Sequence, residues 1–129
     1  MKNLLAMEAV IEGGTGLLLV AIPSLVVQLL LATPLDSPGA LTVARVAGVA
    51  LLSLVVACWR ARHDGQGRAA RGVVSAMVLY NGGILAVLVY AGLGLGLSGV
   101  ALWPAVLVHA AMATWCIRTL GLSAARATE

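Results

Sequence analysis

Charged residues are scarce in this sequence, and phenylalanine is absent. Only 10% of the 129 residues are Asp, Glu, Lys or Arg, whereas about 25% is usual for a soluble domain. Together with 61% apolar residues, this excludes an ordinary water-soluble domain and indicates one membrane domain over residues 1–129. The lack of Phe carries no functional information, but the excess of Ala, Val, Leu and Gly lets helices pack closely.

Four apolar windows are long enough to cross a bilayer, whose core of about 30 Å needs about 20 helical residues. These windows are residues 4–22, 39–59, 72–92 and 100–119. They predict an all-α fold, an integral membrane four-helix bundle. The segment 23–34 has two interpretations, because it either extends the first helix through a proline kink or forms a short interfacial helix. We favour the interfacial helix.

Basic residues are confined almost entirely to one set of connections. The connection between the second and third spans contains Arg60, Arg62, Arg68 and Arg71. Residues 33–38 and 93–99 contain no basic residue. The positive-inside rule therefore places Lys2, the middle connection, and the tail with Arg118 and Arg126 in the cytoplasm, so that both termini are inside. Because orientation explains the net charge of +3, no nucleic-acid partner is expected.

Recognisable catalytic and metal-binding motifs are also missing from the sequence. Cys58 and Cys116 lie at the predicted cytoplasmic ends of helices, where thiols stay reduced, so we expect no structural disulfide. His109, Met112 and Cys116 share a helix face, but no Cys-x-x-Cys or His-x-x-His spacing supplies further metal ligands. Helix packing is the better explanation of that face. The sequence therefore predicts no catalytic residue, no metal and no cofactor, and we favour a non-enzymatic role.

Polar residues inside the spans are the main functional signal. A charge at the centre of a span costs about 2.5 to 3.5 kcal/mol and usually faces the bundle interior with a partner. Arg45 lies about 9 Å and Glu12 about 15 Å from the outer ends of their spans at helical rise. We therefore predict that these two side chains form an ion pair. Tyr80 and Asn81 in the third span and His109 in the fourth complete a predicted polar centre.

This polar centre has two interpretations. It is either a hydrogen-bonded network that fixes helix register, or a pocket in which Glu12 and His109 exchange protons or bind a ligand whose charge Arg45 offsets. We slightly favour the structural network. Glu8 shares a helix face with Glu12 and is expected to reach interfacial water.

The order of these features resembles the DoxX-like group of small four-helix bacterial membrane proteins, including its uncharacterised relatives. The resemblance covers about residues 12–115. It rests on Pro23 after the first helix, Arg45-Val46-Ala47-Gly48 and Trp59-Arg60-Ala61-Arg62 in the second, Asn81 in the third and His109 in the fourth. It implies a multi-pass protein of the bacterial inner membrane. Some members of that group are linked to quinone-dependent sulfur oxidation or to membrane redox complexes.

Three functions remain open on the sequence alone. The first is association in the bilayer, as a homo-oligomer or as an accessory subunit of a membrane complex, and we slightly favour it. The second is a binder or carrier of a small apolar or amphipathic molecule, or a proton-coupled transporter, that uses the polar centre. The third is a quinone-linked redox subunit, for which only Glu12, Tyr80 and His109 offer acid-base groups.

Overall fold

The computed structural model describes residues 1–65 and 67–125, with side chains up to residue 122, so Arg126 lies outside it. All regular secondary structure in these residues is helical. The helices are α1 Lys2–Ala21, α2 Pro23–Leu31, α3 Pro38–Ala61, α4 Arg68–Val89 with a π-helical turn Tyr90–Gly94, and α5 Leu102–Ala125. Four stretches are long and apolar enough to cross a membrane: Lys2–Ala21, Pro38–Ala61, Arg68–Gly94 and Leu102–Leu122. The structure therefore contains four helices that are long and apolar enough to span a membrane, as predicted, and their insertion into a membrane stays a prediction.

The segment after the first span is a separate short helix, α2. Pro23 occupies its first position and disfavours helical backbone in the residue before it, and Ile22 accordingly has φ −136° and ψ 58°. The helix ends at Leu31, and the next residue, Ala32, adopts left-handed backbone with φ 53°. The helical backbone is therefore interrupted at Ile22, between α1 and α2. The interfacial location of α2 stays a prediction.

The C-terminal end of α2 is held by the connection that precedes α5. The N–H of Gly99 donates to the carbonyl of Leu30 at 3.0 Å, and the N–H of Ala101 donates to Leu29 at 2.8 Å. A Cβ on residue 99 would overlap the Leu29 carbonyl, so glycine is required for this approach. These two bonds fix α2 against the start of α5.

The long helices form two pairs, α1 with α3 and α4 with α5, and contacts between the pairs are fewer. Gly16 and Gly48 face each other where α1 crosses α3. A Cβ on Gly48 would lie 2.8 Å from the Gly16 carbonyl oxygen, and one on Gly16 would lie 3.0 Å from the Gly48 carbonyl oxygen. Gly48 therefore permits the close approach of the two helices, and Gly16 is its counterpart on α1.

The buried apolar side chains form two clusters. One lies towards the α3–α4 connection and includes Leu5, Cys58 and Met77, and the other joins the end of α4 to the start of α5 through Leu88 and Leu102. Many large apolar side chains point outward, a pattern typical of a protein that faces lipid. Cys116 of the first cluster also belongs to the polar network described next, and Leu88 of the second cluster lines the cavity.

Candidate functional site

Six side chains from α1, α4 and α5 form a polar network inside the bundle. Its members are Glu8, Glu12, Tyr80, Asn81, His109 and Cys116. Glu8, Asn81 and Cys116 are completely buried, and Glu12 is 1% exposed. Glu8 and Glu12 are four residues apart, so they lie on one face of α1, which is turned towards α4 and α5.

Asn81 is the centre of this network. Its Nδ2 donates to Glu8 Oε1 at 2.9 Å and to the Met77 carbonyl at 3.0 Å. Both partners are acceptors, so the amide orientation is fixed, and Asn81 Oδ1 faces His109 Nδ1 at 2.8 Å. The amide uses both of its N–H groups and its oxygen, and it thereby connects α1, α4 and α5.

This orientation also assigns the tautomer of His109. Because Asn81 Oδ1 can only accept, the proton of the contact belongs to His109 Nδ1. His109 Nε2 forms no hydrogen bond with any described residue. A proton on Nε2 would have no acceptor within the described residues, so the geometry fits the neutral imidazole with Nε2 as an acceptor.

A second branch of the network joins Glu12 to Tyr80. The Tyr80 hydroxyl donates to Glu12 Oε2 at 2.6 Å, a distance typical of a strong hydrogen bond to a carboxyl oxygen. The rings of Tyr80 and His109 meet edge to face with centroids 5.8 Å apart. This ring contact places the two branches side by side.

The carboxyl groups are stabilised by hydrogen bonds and not by cations. Within the described residues neither Glu8 nor Glu12 forms an ion pair. Glu8 Oε1 accepts from Asn81 and, at 3.5 Å, from the Cys116 thiol, but the buried Glu8 Oε2 has no partner there. Burial of a carboxyl oxygen without a donor is costly, so Glu8 Oε2 destabilises this part of the network.

The predicted ion pair between Arg45 and Glu12 is wrong. Arg45 is exposed, and its Nε donates to the Val20 carbonyl of α1 at 3.3 Å. Val20 lies eight residues beyond Glu12, which is about 12 Å along the helix. The prediction assumed that the two long side chains could bridge the difference between depths of about 9 Å and 15 Å, because the two spans were aligned only by their ends. Arg45 therefore does not belong to the polar network.

Two members of the network were misjudged from sequence. Glu8 was expected to reach interfacial water, but it is buried and bonded to Asn81, because the N-terminal end of α1 packs into the apolar cluster of Leu5. Cys116 was interpreted as a packing residue only. The spacing of Glu8 from Glu12 and of Cys116 from His109 was the available signal, since each pair shares a helix face.

A cavity of about 380 Å³ lies beside the network, between the two helix pairs. Fourteen residues line it, and eleven of them are aliphatic. The polar ones are Thr15, Tyr80 and His109, of which Tyr80 and His109 also belong to the network. A second hollow of about 460 Å³, between α1 and α3 near Trp59, contacts no side chain of the network. The first cavity combines an apolar wall with two of the predicted polar residues, Tyr80 and His109, and the second does not.

This arrangement is suited to binding. Ligand sites are typically cavities of about 300 to 1,000 Å³ with apolar walls and a few placed polar groups. The structure brings together Tyr80, Asn81, His109 and Glu12 as predicted, but it does not place Arg45 beside them.

The comparisons with family models, with curated proteins and with solved structures return no match to this chain. The four apolar helices suggest a multi-pass membrane protein.

Proposed function

We propose that the protein binds a small apolar or amphipathic molecule in the cavity between its two helix pairs. The observation that carries the proposal is the cavity of about 380 Å³ with eleven aliphatic residues and three polar ones in its wall. Its size and composition are those of a small-molecule site. The polar network supports the proposal, because it holds Tyr80 and His109 in fixed orientations at this wall.

The position of the cavity adds support. All five helices contribute to its wall, and α2 contributes Val26, Leu29 and Leu30. Since α2 is short and is held to the α5 connection by two backbone hydrogen bonds, a small displacement of α2 would change access to the cavity. Access through a short helix at one end of the bundle suits a molecule that enters from the bilayer.

Native mass spectrometry of gently extracted protein tests this proposal. The wild-type chain is expected to retain a small apolar molecule that is released on unfolding. Ala105→Phe fills the cavity and should abolish the adduct, whereas Ala111→Phe adds the same ring to an exposed position of the same helix and should keep it. An adduct that survives in Ala105→Phe, or that is missing from the wild-type chain, would contradict the proposal.

Association in the bilayer is a second candidate, and one observation favours it. Arg45 is exposed seven residues after the start of α3, and its guanidinium has a single acceptor, the Val20 carbonyl, among the described residues. A guanidinium has five N–H donors and keeps its charge, so an apolar surround is unfavourable. An acceptor from a second subunit, in a homo-oligomer or a larger membrane complex, would satisfy it.

The oligomeric mass of the Arg45→Leu variant tests association. We expect a wild-type oligomer that dissociates in Arg45→Leu but persists in Arg71→Leu, which removes an exposed arginine at the other end of the bundle. A monomeric wild-type protein, or an oligomer insensitive to residue 45, would exclude this role for Arg45.

We also propose the bacterial inner membrane as the location, with both termini in the cytoplasm. The support is the set of arginines around the α3–α4 connection. Arg60, Arg68 and Arg71 are exposed, and the guanidinium of the partly buried Arg62 stacks 3.3 Å from the centre of the Trp59 ring. The resemblance to the DoxX-like group stays a prediction.

A further inference from the structure

The three polar side chains in the cavity wall share one property, which is that each has committed its proton elsewhere. The Thr15 hydroxyl donates to the Ile11 carbonyl at 3.0 Å. The Tyr80 hydroxyl donates to Glu12 Oε2 at 2.6 Å. His109 Nδ1 donates to Asn81 Oδ1 at 2.8 Å, which leaves Nε2 with its lone pair.

The wall therefore offers acceptors without a free side-chain donor. A hydroxyl oxygen that has donated its proton keeps lone pairs, so Thr15 and Tyr80 can each accept a hydrogen bond. His109 Nε2 is a third acceptor. The aliphatic side chains that make up the rest of the wall have neither donors nor acceptors.

We infer that the cavity selects apolar molecules that carry a hydroxyl or another hydrogen-bond donor, such as an alcohol or a phenol, over ketones and ethers of the same shape. This inference rests on the proposed function and specifies its ligand class. The physical reason is that a ketone would place its oxygen against acceptors and leave both sides unsatisfied. A site whose polar groups all accept hydrogen bonds discriminates between an alcohol and a ketone more strongly than an apolar wall alone.

The fixed orientation of the Asn81 amide keeps His109 Nε2 an acceptor and so maintains the preference for hydrogen-bond donors. If the Asn81 amide were free to rotate, His109 could reverse its tautomer and donate from Nε2. The two acceptors on Asn81 Nδ2, Glu8 Oε1 and the Met77 carbonyl, prevent that rotation. The buried carboxyl of Glu8 therefore acts on the ligand class through Asn81 and His109, without contact with the cavity.

A matched pair of ligands tests the inference. The two probes are 2-decanol and 2-decanone, which have the same carbon skeleton and differ in the hydroxyl that the ketone lacks. Their dissociation constants for the full-length protein in lipid nanodiscs are measured by calorimetry, with protein-free nanodiscs of the same lipid as the partition blank. We expect the alcohol to bind about tenfold more tightly than the ketone, as one satisfied hydrogen bond predicts.

Two variants locate the effect. Thr15→Val keeps the volume and removes one acceptor, and it should lower the preference for the alcohol by about threefold. His109→Leu should lower the preference in the same direction. Thr114→Val is the matched control, because Thr114 also donates to the carbonyl four residues earlier but is exposed and outside the cavity wall. It should leave the preference unchanged.

The outcomes separate the inference from the proposed function. Equal binding of alcohol and ketone, or tighter binding of the ketone, would overturn the inference and leave the binding function intact. Binding of neither probe above the protein-free blank would contradict the binding function itself. Should His109→Leu fail to fold, the ligand pair on the wild-type chain and on Thr15→Val still decides.

Discussion

At the scale of single residues, the polar network depends on which face of a helix each side chain occupies. Hydropathy places Glu12, Tyr80, Asn81 and His109 inside spans, and this was predictable from the sequence because polar residues interrupt apolar runs. The partners were not predictable. Position along a span gives the depth of a residue but not its direction around the helix axis, nor the offset between two helices. For that reason Glu12 was predicted to pair with Arg45, whereas its partner in the structure is Tyr80.

A double-mutant cycle measures this pairing. Tyr80→Phe and Glu12→Gln should each destabilise the protein, and their effects should be non-additive by about 0.5 to 1.5 kcal/mol, because they remove the same hydrogen bond. The free energy of unfolding in mixed micelles is the measurement. The cycle of Arg45→Ala with Glu12→Gln is the control, and we expect it to be additive within about 0.5 kcal/mol. Coupling in the Arg45 cycle and none in the Tyr80 cycle would reverse the assignment.

At the scale of elements, the helices follow from composition and their contacts follow from small residues. Window length and proline positions predicted the four spans and the break at Pro23, because both signals are local in the chain. The fixing of α2 by Gly99 and Ala101 was not predictable, since backbone hydrogen bonds between distant segments leave no side-chain pattern. The π-helical turn at Tyr90–Gly94 was likewise not predicted, and residues 90–92 were assigned only to the third span.

The crossing of α1 and α3 gives a test at this scale. Gly16→Ala should destabilise the protein by about 1 to 3 kcal/mol, because the added methyl group meets the Gly48 carbonyl and Leu51. Gly14→Ala is the matched control two residues away, where a Cβ meets nothing within 4 Å. That variant should be neutral or slightly stabilising, since alanine favours helix over glycine by up to about 1 kcal/mol. Equal losses in the two variants would show that the crossing is not closely packed.

At the scale of the whole molecule, the charges around the α3–α4 connection predict the orientation in the bilayer. A reporter that is active only in the cytoplasm should be active when fused to the C-terminus and when inserted near Gly65. The reason is that four spans bring both positions to the side that carries the basic residues. A fusion beside Asp36, in the α2–α3 connection, is the control and should be inactive. Activity of the Asp36 fusion with silence of the other two would invert the orientation.

The central claim is that the cavity between the helix pairs is a binding site, and photolabelling in native membranes tests it most directly. The probe is a medium-chain alcohol that carries an aliphatic diazirine, and labelled residues are mapped by peptide mass spectrometry. We predict labels concentrated on cavity residues such as Leu51 and Ile84, and their loss in Ala105→Phe. Labels spread instead over outward-facing side chains such as Leu79 and Leu107, unchanged in that variant, would contradict the claim.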